Sequence, residues 1–146
     1  MLTAISSHLL AIIAILITIR HGQRPERIGA VTIFLMIIIS DSRYFANYAV
    51  FSSVDYVALA CDVVGLCGFS ISSVFYNRIW PLWAAALQLL SVGAHFVRAL
   101  DIPVRPIVYA WMKSGPTWAV IILLICATLM NRNQRNTQIG RARLAA

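Results

Sequence analysis

Charge is scarce in this chain. Of 146 residues, 12% are Asp, Glu, Lys or Arg, and five of them are acidic. A soluble domain carries about 25% charged residues, so a soluble globular protein is excluded. A disordered chain is excluded as well, because disorder needs low hydrophobicity and high charge. Cysteine is also sparse: Cys61, Cys67 and Cys126 all lie in apolar runs. An odd number without a Cys-x-x-Cys spacing argues against a disulfide framework and a zinc site. Buried cysteine behaves as a small hydrophobe. No Gly-x-Ser-x-Gly, His-Glu-x-x-His or phosphate-loop motif occurs, so no enzyme is expected.

Apolar sequence is what the chain has in quantity, with 60% hydrophobic residues and a mean hydropathy of +0.80. A lipid-crossing helix needs about 20 such residues, so at most about six crossings fit and no large extramembrane domain does. Five apolar stretches appear, at 2–19, 25–40, 54–75, 80–100 and 116–130. The first lacks a preceding basic segment and a small-x-small cleavage site before Arg20. It is read as a retained span rather than a signal peptide. The second is short, roughly 24 Å at 1.5 Å per residue, and marginal as a span.

The connections are expected to be short. Pro25 suits the first turn of the second helix. Residues 41–53, with Tyr44, Phe45, Tyr48 and Phe51, read as an interfacial turn or short helix, because such aromatics favour the headgroup level. Asn77 is a candidate cap for the fourth helix. Residues 101–114 read as a loop broken by Pro103 and Pro106, with a helix restarting at Ser114-Gly115-Pro116. The echo between Pro81-Leu82-Trp83-Ala84 and Pro116-Thr117-Trp118-Ala119 is explained by convergence at helix starts. The chain thus divides into a helical membrane domain, 1–131, and a basic tail, 132–146, that contains Arg132, Arg135, Arg141 and Arg143 and no acid.

The net charge of +7 speaks first to orientation and anionic lipid. Nucleic acid is not expected, since basic residues are not clustered with aromatics on a soluble surface. With the N-terminus outside, inside segments hold eight basic residues and outside loops three, with Arg98 left out as part of a span end. That distribution obeys the positive-inside rule. Without the short second span, the tail would face outward against it. The expected fold is therefore an all-α integral membrane bundle of about five transmembrane helices, N-terminus outside and C-terminus in the cytoplasm, with anionic lipid expected at the tail.

Ionisable groups inside spans are costly and face a protein interior or water. Asp55 and Asp62 are two helical turns apart, on a stripe with Ala58, Gly65, Phe69 and Ser72. Gln88, Ser91, His95 and Arg98 share one face of the next span. A tight hairpin makes these two spans antiparallel neighbours. The arithmetic of rise brings Asp62 and His95 to within about 3 Å in depth and allows Asp55 to pair with Arg98. This seam reads either as a hydrogen-bonded clasp between helices or as a proton, ion or polar-ligand site. Gly65, Gly68 and Ser72, with Gly93 and Ala94 opposite, offer close helix contact. A further alternative is b-type haem held by His8 and His95 as axial ligands from different helices.

The run from Asn77 to His95 contains Arg78-Ile79-Trp80-Pro81-Leu82-Trp83, then Gln88 and His95. It resembles a family of small bacterial polytopic inner-membrane proteins with an Arg-x-Trp-Pro-Leu-Trp segment. The resemblance implies a bacterial inner-membrane location, carries no activity and assigns no role to Arg78, Gln88 or His95. Five short helices leave little interior volume. The leading expectation is an accessory or assembly subunit that binds another membrane protein or itself. The alternatives are a small transporter, channel or proton-site protein using Asp62 and His95, and a phage-type holin.

Overall fold

A computed structural model describes residues 2–45, 56–100, 102 and 105–144. Five helices follow in order: α1 (Leu2–His21), α2 (Arg24–Phe45), α3 (Tyr56–Tyr76), α4 (Ile79–Ala99) and α5 (Pro106–Leu144). Each packs on its neighbour in sequence, and α5 closes on α1, which makes an all-α ring with α2 also reaching α5.

The interior is inverted relative to a soluble bundle. Its buried members are largely small or polar: Ala11, Ala14, Ala30, Ala84, Ala94, Thr18, Ser72 and Gln88 among them. Large apolar side chains such as Leu16, Phe34, Val74, Leu82, Leu89 and Phe96 point outward. Lipid tails solvate those outward groups, and small residues let helix backbones approach. Among the described residues, three helical segments are long and apolar enough to cross a membrane: Tyr56–Tyr76, Ile79–Ala99 and Ser114–Gln138. Ser6–His21 is a shorter apolar helix. The chain is a small polytopic membrane protein.

Two turns lie at one end of the bundle, here the hairpin end. The α1–α2 turn is Gly22-Gln23, and Glu26 Oε2 accepts the Gln23 backbone N–H at 2.8 Å. That is the backward half of a capping box, satisfying a donor at the helix start. The α3–α4 turn is made by Asn77 in the left-handed region, φ 47°, where asparagine is tolerated better than most residues. The expected cap is corrected here: Asn77 ends α3, while Arg78 precedes α4 and makes no side-chain cap bond. Arg78 Nη2 donates to Gln23 Oε1 at 3.3 Å and ties the two turns together.

Two further expectations differ from the structure. The second helix is 22 residues long rather than 16, about 33 Å, because it continues through Asp41 to Phe45. The fifth begins at Pro106 and runs unbroken through the buried Pro116 for 39 residues. A proline removes one backbone bond, and in a membrane helix neighbouring groups re-satisfy what it frees. Residues 132–144 of the polar tail form the end of α5. Residues 46–53, read as interfacial, lie outside the described residues, as do Asp55 and Pro103.

Candidate functional site

The buried face of α3 is Ala58, Asp62, Gly65, Phe69 and Ser72, the stripe expected from sequence spacing. On α4 the buried face includes Ala84, Gln88, Ser91, Ala94 and His95. The glycines explain how polar groups fit between the helices. A Cβ at Gly65 would lie 2.8 Å from Met36 Sδ and 3.0 Å from Gln88 Cδ, so its absence seats the Gln88 side chain. At Gly68 the same atom would meet Thr32 of α2. Gly93 plays no such part, since nothing lies within 4 Å of its Cβ position; close contact there comes from the fully buried Ala94.

Asp62, Ser91 and His95 come together as one cluster. Ser91 Oγ donates to Asp62 Oδ2 at 2.7 Å. His95 Nε2 lies 3.1 Å from the same oxygen. His95 and Asp62 side chains are only 2% and 7% exposed. Both bonds fall on Oδ2, and Asp62 also lines an open space. His95 Nδ1 and Gln88 Oε1 are buried without a hydrogen-bond partner. Arg98 sits on the exposed surface near the end of α4, and its expected partner Asp55 lies outside the described residues.

That space is a cavity of about 440 Å³ in the half of the bundle away from the hairpin end. All five helices line it. Asp62 and Gln88 supply polar groups, Ile33, Met36, Val120 and Ile121 the apolar wall, and Trp118 an aromatic face. Its size lies within the range of about 300–1,000 Å³ typical of small-molecule sites. His8, at the same cavity, places Nε2 2.9 Å from Asp41 Oδ1 of α2. This second carboxylate–imidazole pair was not expected. Its only sequence signal was that both residues fall near the same ends of adjacent helices.

Axial haem ligation by His8 and His95 would require both carboxylate bonds at Nε2 to break. Among the described residues, no three His, Cys, Asp or Glu side chains converge to hold a metal ion.

Glu26, fully buried, is another residue that sequence reasoning passed over. Besides the Gln23 N–H it accepts Asn131 Nδ2 at 2.7 Å, which fastens α5 to the hairpin end. Thr18 and Thr128, 3.2 Å apart, tie α1 to α5 below it.

No protein-family model, curated protein or solved structure matches this chain. The geometry alone carries the functional reading.

Proposed function

We propose that this protein crosses a bacterial inner membrane five times, N-terminus outside, and is a small transporter or proton-path protein that uses its central cavity and the Asp62–His95 pair. The observation that carries this reading is a cavity lined by all five helices that reaches a buried carboxylate–imidazole cluster. A simple clasp needs the bonds but no cavity. Here Asp62 and Gln88 both line open volume. Ionisable groups at membrane depth that face such volume mark solute and proton paths. The lengths of α1 and α2, about 30 and 33 Å, suit five crossings. The reading is non-enzymatic.

The groups bonded to Asp62 are His95 and Ser91 from α4; His8, itself bonded to Asp41, and Cys61 also line the cavity, and the described α5 lining is uncharged. A proton path through the cavity would run by this pair, so both side chains are needed for flux. Reconstituted vesicles with an internal pH-sensitive dye test this. Proton flux above that of empty vesicles, lost in Asp62→Asn and His95→Ala, supports the proton-linked site. Flux equal in all three proteins contradicts it.

An accessory-subunit reading has separate support. Beyond Asn131, α5 continues for about 20 Å as a polar helix past the hairpin end. A partner protein that co-purifies in mild detergent and is lost on removal of residues 132–146 would favour that reading.

A further inference from the structure

The hairpin end carries a second cavity, of about 260 Å³, formed where the α1–α2 turn meets α5. It is lined by Arg20, His21, Arg27, Asn131, Arg132 and Asn136, along with the Gly22-Gln23 turn. None of these serves the Asp62 cluster. Three arginines, one histidine and the amide-bearing Gln23, Asn131 and Asn136 line the same small volume. His21 Nδ1 is buried without a hydrogen-bond partner. The one acid nearby, Glu26, is buried and occupied by Gln23 N–H and Asn131 Nδ2. The cavity therefore offers donors and positive charge without a free carboxylate to oppose them.

We infer that this cavity binds the phosphate group of an anionic phospholipid. Arginine forks match phosphate oxygens in geometry as well as charge. The place in the fold selects lipid as the source. Arg20 directly follows the exposed Ile19 on α1, and Arg132 lies two residues beyond the exposed Met130 on α5. On both adjacent helices the outward apolar surface stops where the cavity begins. A phosphate there sits at headgroup level, with an acyl chain running along Leu16, Ile19 and Met130. Basic pockets between helices at this level suit anionic headgroups. The rival location is the charged sequence of the α5 extension, with Arg141 and Arg143.

Lipid binding to the purified full chain in detergent, read by native mass spectrometry and thermal stabilisation, tests this. The probes are phosphatidylglycerol, phosphatidylcholine and inorganic phosphate. Phosphatidylglycerol should bind and stabilise, and the other two should do so far less. At roughly a factor of five per charge, the triple variant Arg20→Gln/Arg27→Gln/Arg132→Gln should bind about 100-fold more weakly. Arg141→Gln/Arg143→Gln should bind as the parent does. Lipid-free melting of each variant separates loss of binding from loss of folding, and Arg→Lys at the same three positions, which keeps the charge but not the fork, should bind more weakly than the parent and more tightly than the Gln variant. Equal stabilisation by inorganic phosphate would reassign the site to a soluble anion and overturn the lipid. Unchanged binding in the triple variant, or loss in the Arg141/Arg143 variant, would overturn the pocket.

Discussion

Gly68 and Gly93 present the same substitution in two environments. A Cβ at Gly68 would stand 2.5 Å from Thr32 Oγ1 and 2.6 Å from Thr32 Cγ2, whereas one at Gly93 would meet nothing within 4 Å. Thr32 cannot readily turn away. It is β-branched and stiff at χ1, it is buried, and its Oγ1 donates to Ile28 O at 3.0 Å. Exchanging glycine for alanine gains about 1 kcal/mol of helix propensity at either site, so that gain cancels between them. What remains is overpacking of α2 against α3, about 1–3 kcal/mol. Gly93→Ala should therefore be neutral or stabilising, and Gly68→Ala about 2 kcal/mol less stable than it. Thr32→Ala removes both clashing atoms and leaves its Cβ at 3.1 Å. The double variant Thr32→Ala/Gly68→Ala should recover most of the loss. Reversible unfolding from mild detergent into dodecyl sulfate micelles, followed by circular dichroism, measures all three. Equal stability of Gly68→Ala and Gly93→Ala, or no recovery in the double variant, would refute the claimed α2–α3 approach.

Three further outcomes are expected. Glu26→Ala removes the acceptor of two part-buried donors and should cost about 1–3 kcal/mol in the same unfolding assay, with Glu26→Gln near half of that because one acceptor remains; a loss below about 0.5 kcal/mol for Ala would contradict the account. Asn77→Gly should be tolerated and Asn77→Val should cost about 1–2 kcal/mol, since the left-handed turn at φ 47° penalises a branched Cβ; equal melting of the two would count against that turn. A reporter active only in the periplasm, fused after Ala146, should be silent, and strong activity would overturn the five-span topology.

Much of the α3–α4 seam was legible because helix geometry is local. Seven-residue spacing put Asp62 on one face with Gly65, Phe69 and Ser72, and a short hairpin fixed its depth against His95. The His8–Asp41 pair was not legible in the same way. It depends on α2 continuing past Ser40, and the polar residues Asp41 and Ser42 read as the end of a span. Glu26 was hidden by its neighbours, since four basic or imidazole side chains at Arg20, His21, Arg24 and Arg27 suggest a solvated loop. Only the tertiary placement of Asn131 reveals that this acid is buried. Pro116 misled for a related reason. Proline after Ser-Gly marks a start in water, but a membrane helix tolerates it in its interior. The central cavity was unreadable, because its walls come from five separate helices.

The account turns on contact between Asp62 and His95. A double-mutant cycle with Asp62→Asn, His95→Ala and the pair, by detergent-to-dodecyl-sulfate unfolding, tests that contact directly. Hydrogen-bonded pairs within membrane proteins couple by about 0.6 kcal/mol on average and up to about 1.7 kcal/mol. The buried, shared Oδ2 acceptor places this pair toward the upper end. The double variant should therefore lose measurably less stability than the two single losses combined, by about 1–1.7 kcal/mol. Additivity to within roughly 0.3 kcal/mol would mean that the two residues are not in contact, and the site built on them would have to be given up.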